Sequence, residues 1–373
     1  MVRPWPLFLP DLTLWHSRNS DRGTLPPGWQ GLPIEEICRR LRVPQWRPFR
    51  PWRIELPGIV VRETRGPAEK TLTWETSSGL LTSRWTLGPD GDWWQSEYPV
   101  KSRVDCAAAR EVAEARRYVA RARSSAAAEP GEMSAQMSPG ATVQMSPGAT
   151  VMELPKRPWS ELLHSFVGWS EGLMFVLEEP AALHEIVVLL EERLARLVSE
   201  MAQLPGDLTL SPDNLDGQFV SPESFQENLA PSYARTVQAL HACGKRLVVH
   251  VGGPVSGLLP GLARSGIDCV QGVSGPPQGD STLEAARELS GPNMALWGGI
   301  PQDCLLASCT EAEFRRAAEA AFSRGAADPR VIVGVADRVP ADALPGRIAA
   351  LAEMAIKAQD VVDPGPESGT GLA

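Results

Sequence analysis

The residues with reactive side chains in useful places share one pattern, a polar group directly after a short apolar run. In Arg246–Gly257, RLVVHVGGPVSG, the run Leu247–Val249 leads into His250 and then into Gly252-Gly253-Pro254. A β-branched run bounded by Gly and Pro reads as a strand buried on both faces. A histidine at the end of such a strand, ahead of a Gly-Gly turn, sits where α/β proteins keep their chemistry. The same pattern recurs: Asp207–Leu210 ends in Ser211-Pro212-Asp213-Asn214, and Val331–Gly334 ends at Asp337-Arg338. Cys269–Gly272 carries Gln271, Met294–Gly298 carries Trp297, and the strand-like run Leu12–Leu14 ends at Trp15-His16. An imidazole with two carboxylates is a proton-transfer set. Each residue also has an ordinary reading: a core histidine bonded to a carbonyl, aspartates that cap helices, or an Asp337–Arg338 surface pair. The functional reading therefore requires that His250, Asp213 and Asp337 point into one space.

The elements that would bring them together are strands of a parallel sheet. From Trp159 onward the chain alternates strand and helix signals, in six βα units. The strands fall at Phe166–Trp169, Asp207–Leu210, Leu247–His250, Cys269–Gly272, Met294–Gly298 and Val331–Gly334. Ser221-Pro222 opens the helix that runs to Cys243, and Thr310 is the N-cap of the helix Glu311–Arg324. Two more strand candidates lie near residues 8–14 and in 58–87. Eight strands with right-handed crossovers close into a (β/α)₈ TIM barrel, whose strand C-termini share one face. A doubly wound open sheet is the alternative; it calls for a G-x-G-x-x-G turn after its first strand, and none stands there.

The chain, 373 residues with a net charge of −9, offers no basic stripe for nucleic acid and no apolar segment long enough to span a membrane. The N-terminus is a poor signal peptide, and the six cysteines have no zinc-knuckle or disulfide-framework spacing. A soluble cytoplasmic protein is the expectation. One domain is expected over 1–361. It carries a Trp-rich antiparallel β-hairpin insertion at 58–95, turning at Ser77-Ser78-Gly79, in which tryptophans plug the hairpin onto a larger body rather than bind ligand. An alanine-rich helix covers 104–128. The direct repeat QMSPGATV at 136–143 and 144–151 reads as an exposed, flexible loop within 129–155, too short an array for a solenoid. The tail 362–373 should be disordered.

Ser211–Lys245, RLVVHVGG, Gly279-Asp280, LWGGI, VIVGVADRVPAD and the N-terminal LTLWHSR together resemble the uroporphyrinogen decarboxylase superfamily over nearly the whole chain. The resemblance implies a (β/α)₈ barrel and one of two activities. The first is cofactor-free decarboxylation of a tetrapyrrole or a smaller acid. The second is methyl transfer between a corrinoid on a partner protein and a thiol or methoxylated compound. The decarboxylase branch carries an arginine-rich N-terminal loop and a histidine in its last βα loop. Here these read His16-Ser17-Arg18-Asn19-Ser20-Asp21-Arg22-Gly23 and Val335-Ala336-Asp337-Arg338. The thiol-methylating branch holds zinc on His-x-Cys and a distant cysteine. His250 matches the histidine, but Gly252 and Asp337 stand where the cysteines belong, and an imidazole with a carboxylate makes a harder site for zinc. The expectation is a methyltransferase-like barrel acting on a small methylated or methoxylated substrate. His250 and Asp337 would orient or protonate the leaving oxygen or share a metal, with Asp213 as anchor. His16, Asn214, Gln271, Trp297 and Arg338 would contact the substrate. The partners implied are a small molecule and a corrinoid protein, with a homodimer open. A binding barrel without catalysis is the third alternative.

Overall fold

The structure, a computed structural model, describes residues 6–88, 93–120, 149–169 and 171–362. The chain enters along the extended segment Leu7–Leu9 and turns into helix α1 (Thr13–Arg22), where Asp11 Oδ1 accepts from both the N–H and the hydroxyl of Thr13. Helix α2 (Ile34–Leu41) follows, then strands β1 (Trp46–Phe49) and β2 (Trp52–Glu55). Strands β3 (Val60–Arg65), β4 (Glu69–Thr76), β5 (Gly79–Leu87) and β6 (Trp93–Glu97) form one antiparallel sheet. Helix α3 (Asp105–Ala115), strand β7 (Arg117–Ala120) and strand β8 (Ala149–Glu153) come next. Helix α4 (Pro158–Glu161) continues into a π-helical turn, Leu162–Val167, before α5 (Glu171–Glu178) and α6 (Pro180–Ala202).

The remainder is regular strand–helix alternation. Strand β9 (Leu208–Leu215) leads to α7 (Pro222–Ser224) and α8 (Ala230–His241), and β10 (Arg246–Val251) to α9 (Leu259–Arg264). Strand β11 (Cys269–Val273) leads to α10 (Leu283–Ser290), β12 (Ala295–Ile300) to α11 (Glu311–Ala327), and β13 (Val331–Val335) to α12 (Pro345–Val362). Local chemistry sets these starts. The Ser221 side chain accepts from Ser224 N–H, and Thr310 with Glu313 forms a full capping box on α11.

Seven strands make one parallel sheet in the order β1-β8-β9-β10-β11-β12-β13, and Phe8 bridges in parallel to Val333 on the far edge. The sheet is curled. Trp46 on β1 meets Trp297 on β12 edge-on at 4.7 Å, although four strands lie between them in the ladder. Leu9, Trp46, Val151, Leu208, Leu210, Val248, Cys269, Ala295, Trp297 and Ile332 form one buried cluster to which every strand and the Phe8 segment contribute. This is a TIM-barrel-like core packed with side chains rather than a pore. A second cluster, built on Leu81, Val112, Leu162, Phe166 and Ile186, joins the antiparallel sheet and α3 to the barrel's flank.

Several expectations need correction. Two barrel strands are β1 and β8, not Phe166–Trp169 or any part of 58–87. Phe166–Val167 ends the π-helical turn, and β3 to β6 form a separate four-stranded sheet rather than a single hairpin. The turn at Ser77-Ser78-Gly79 does join β4 to β5. β1 was hidden by Pro48, which cannot donate to a ladder and is tolerated because β1 lies at the sheet's edge. β8 was hidden because Ala149–Val151 belong to the second QMSPGATV copy, whose end is strand and not exposed loop. The rest of the repeat and the tail lie outside the described residues. Residues 12–14 enter a helix, not a strand, and the alanine-rich helix stops at Ala115 and gives way to β7. Among the described residues, no helix is long and apolar enough to cross a membrane.

The sheet's curl passes through Gly272, where the register with β12 shifts between Gln271 and Val273. Its φ is +108°, and a Cβ there would lie 2.2 Å from the Val251 carbonyl oxygen. Gly272→Ala should therefore cost about 3 kcal/mol or more. Gly23→Ala, with a left-handed φ of +67° but no atom within 4 Å, should cost about 1–2 kcal/mol. Denaturant unfolding of both variants checks the contrast; equal losses would show that the close approach is not what demands glycine.

Candidate functional site

The C-terminal ends of the strands form the mouth of the barrel. His250 on β10 reaches across it to Asp337, which follows β13, with Nε2 3.4 Å from Asp337 Oδ1. The Arg338 Nε lies 3.7 Å from the same carboxylate oxygen. Asp337 holds a left-handed φ of +67°, uncommon for a non-glycine residue, which turns its side chain into the mouth. His250 Nδ1 is buried without a hydrogen-bond partner. Burial lowers the His250 pKa, and Asp337 opposes that shift. The imidazole is thus held neutral, with one buried ring nitrogen left unpartnered.

Asp11, at the end of the Leu7–Leu9 segment, belongs to this group and escaped the sequence reading. It is buried, and burial raises its pKa despite the two Thr13 hydrogen bonds; Arg338 pulls the pKa down and Asp337 pushes it up. A carboxyl that resists ionisation thus lies beside one in a more exposed setting. Different environments for neighbouring carboxyls are how acid and ionised roles are divided. Asp11 carried a legible signal, since it stands where a helix-opening aspartate would.

Asp213 is placed differently. It is fully buried and its oxygens are occupied. Oδ1 accepts from the Arg157 N–H at 2.5 Å, and Oδ2 from the Ser211 hydroxyl at 2.7 Å and the Tyr233 hydroxyl at 2.5 Å. The buried Arg157 guanidinium donates to Ser211 and Thr236 and lies 5.2 Å over the Tyr233 ring. Asn214 follows with φ +51°. Its side chain covers Gly252, where a Cβ would come within 1.9 Å of Asn214 Oδ1. Asp213 therefore supports the mouth from beneath, and Asn214 lies against Gly252, two residues after His250.

Beside Asn214 lies a second group that sequence reasoning missed. Lys156 follows β8, and burial lowers its pKa while Asp213 and Glu161 oppose the shift. His164, on the π-helical turn, bonds to the backbone of Asp213 and Asn214, and its pKa falls to about 3, first through burial and then through Lys156. Its ring meets Trp169 edge-on at 4.5 Å, and Trp169 packs on Phe219 at 4.5 Å. These residues sit on irregular turns, where no periodicity announces them.

The remaining candidates are scattered. Gln271 is buried on β11, in register with His250. Trp297 is buried in the barrel core, and its Nε1 donates to the Leu9 carbonyl at 2.9 Å. His16 lies on α1, with Nε2 2.9 Å from the Leu32 carbonyl oxygen. His250, Asp337 and Arg338 are thus brought together, Asn214 stands at their edge, and Asp213, Trp297 and His16 are engaged elsewhere. His250 and Asp337 supply only two donors. Among the described residues no group of three or more His, Cys, Asp or Glu side chains could hold a metal ion, so this donor set does not fit a zinc centre.

The family model described as "Uroporphyrinogen decarboxylase (URO-D)" matches residues 158–358. A methyltransferase from Methanosarcina mazei is 15% identical, with a TM-score of 0.46 over 57% of this chain and 59% of that one. D-psicose 3-epimerase in the presence of D-fructose is 12% identical, with a TM-score of 0.33 over 58% of this chain and 79% of that one. D-psicose 3-epimerase from Clostridium cellulolyticum H10 with D-tagatose is 10% identical, with a TM-score of 0.34 over 58% of this chain and 78% of that one. No curated protein matches.

His164 gives the site a pH signature. Its folded pKa, about 3, lies below the ordinary 6.5. Above pH 6.5 both states are neutral, whereas below it the unfolded chain binds a proton that the folded chain refuses. Stability is therefore lost as pH falls from 6.5 towards 3, at up to about 1.4 kcal/mol per pH unit. In urea unfolding between pH 7 and 4.5, His164→Gln should show a slope shallower by about that amount. An unchanged slope would mean that His164 accepts a proton in the folded state.

Proposed function

Because the chain belongs to the uroporphyrinogen decarboxylase family, we propose that it is an enzyme of the methyl-transferring kind, built on a closed (β/α)₈ barrel with the Phe8 segment as eighth strand. It removes a methyl group from a small methylated or methoxylated compound and passes it to a corrinoid protein. The observation that carries this reading is the approach of His250 to Asp337 across the mouth, beside Asp11, a carboxyl whose pKa burial raises.

The residues divide the work by protonation state. When the methyl group leaves an R–O–CH₃ substrate, the oxygen keeps the bonding electrons and needs a proton. Asp11 supplies it. His250, neutral and with Nδ1 unpartnered, orients the oxygen, and Asp337 fixes the ring from the other side. Asn214 lines the pocket, while Asp213 positions Asn214 through the buried network and touches no substrate. The corrinoid belongs to the partner, which accepts the methyl group. No step runs through zinc, since the donors at the mouth do not suit it.

The decarboxylase alternative needs several cations converging on substrate carboxylates. Arg22 instead pairs with Asp342 at 3.0 Å on the surface, and Arg50 pairs with Glu153 at the ends of β1 and β8. That favours a small substrate of low charge.

Purified protein incubated with a corrinoid protein in its reduced state and a panel of methoxylated compounds should generate methylcobalt, read by its absorbance. His250→Ala and Asp11→Asn should each lower kcat/KM by about 10²–10⁴, and Asp337→Asn by less. No methylcobalt from any compound, together with release of carbon dioxide from a small acid, would replace this reading by the decarboxylase one.

A further inference from the structure

After β12 the chain makes a tight loop, Pro301–Thr310, before α11. It carries Cys304 and Cys309, both half-buried and free. The two thiols are neighbours, and the Cys309 Sγ donates to the Thr310 carbonyl at 3.5 Å and to Glu313 Oε2 at 3.9 Å. The backbone is folded so that both residues face one guanidinium. Arg347 Nη1 donates to the carbonyls of Cys304 at 2.8 Å and Leu306 at 2.6 Å, and Nη2 donates to that of Cys309 at 2.7 Å. Arg347 is itself buried, with its guanidinium 5.1 Å over the Phe314 ring. A single buried planar cation thus holds the carbonyls of both cysteines, so the two residues stay in one clamped turn. The other cysteines lack this arrangement: Cys38, Cys106 and Cys269 are buried, and Cys243 lies on the surface after α8.

We propose that Cys304 and Cys309 form a thiol-exchange site that closes to an intramolecular disulfide on reaction with a small-molecule disulfide such as glutathione disulfide. The Cys309 thiolate attacks one sulfur of the reagent, forming a mixed disulfide and releasing one thiol. Cys304 then gives up its proton and attacks the Cys309 sulfur, releasing the second thiol. The balance is two protein thiols and one reagent disulfide giving one protein disulfide and two reagent thiols. Burial first, and the neighbouring Cys309 second, push the Cys304 thiol up to about 11. Cys304 therefore serves as the resolving partner rather than the first to attack. The same loop carries Gln302, whose Nε2 donates to the Arg338 carbonyl at 2.7 Å and whose N–H donates to Gln278 Oε1 at 2.9 Å. The pair is thereby tied to the backbone of a mouth residue.

The test treats the folded full chain with glutathione disulfide, traps remaining thiols by alkylation and maps peptides by mass. The expected product has lost two hydrogens, carries a Cys304–Cys309 linkage and regains both thiols with dithiothreitol. Alkylation at these two positions should fall at least about tenfold, with Cys38, Cys106 and Cys269 unchanged. Cys304→Ser should instead stop at a glutathione adduct on Cys309. Cys309→Ser should give no linkage, and it keeps the test open should the first variant fail to fold. Overturning results are a wild-type adduct that never resolves, full alkylation of both thiols, or a linkage to a different cysteine.

Discussion

A buried carboxylate, Asp213, with both oxygens filled by donors from its own strand and from two other parts of the chain, is the constraint on which the mouth depends. Arg157 opens the α4 segment, Ser211 lies on the same strand, and Tyr233 comes from α8. Arg157 brings its positive charge into the same dry volume, linked to the carboxylate through Ser211. Removing either charged side chain, Asp213 or Arg157, would leave the other buried charge uncompensated, which typically costs about 3–5 kcal/mol. The network therefore fixes where β9 ends and where the α4 segment begins. Asn214 takes its positive φ at that junction and lies over Gly252, and the carbonyls beside it hold the His164 ring.

Above that foundation the mouth is short of formal charge. His250 and His164 are held neutral by burial, Asp11 is held towards its acid form, and Lys156 is pushed towards its amine form. Asp337 and Arg338, the more exposed pair, retain an ionic contact at 3.7 Å. Groups that can carry a proton without carrying a charge suit a substrate of low charge, since they cost little to desolvate.

The sequence told the barrel's second half well and its first half poorly, for reasons that differ by residue. Strands β10 to β13 are apolar runs between Gly and polar turns, so they and the ends holding His250 and Asp337 were legible. Asp213 and Asp337 look alike in the sequence, each following an apolar strand with a polar neighbour. What separates them is Arg157, 56 residues away, and Tyr233, 20 residues away, and no local pattern encodes such partners. Trp297 likewise seemed to end a strand in the open until the Leu9 carbonyl, 288 residues distant, took its indole N–H. β1 and β8 were missed because a proline and a repeat each imitate loop, while Phe166–Trp169 has strand composition but serves a π-helical turn.

The antiparallel sheet leaves the barrel where β1 ends and the chain returns at the start of β8, although these two strands pair directly. Residues 50–148 thus stand in place of an ordinary crossover, and among the described ones none belongs to the barrel's own ladder. They are tied to α6, where Ile186 packs with Val112 and Arg193 Nη2 donates to the Glu114 carbonyl at 2.9 Å, and to the α4 segment. Gln95 donates to the Ser165 carbonyl, Val100 to that of Phe166, and Arg116 pairs with Glu161. All three contacts fall on the α4 segment that carries His164. The inserted module can thus diverge in size and sequence without disturbing strand order, yet each such change bears on one wall of the pocket. Selection for new chemistry in such a barrel has an adjustable part that leaves the frame intact.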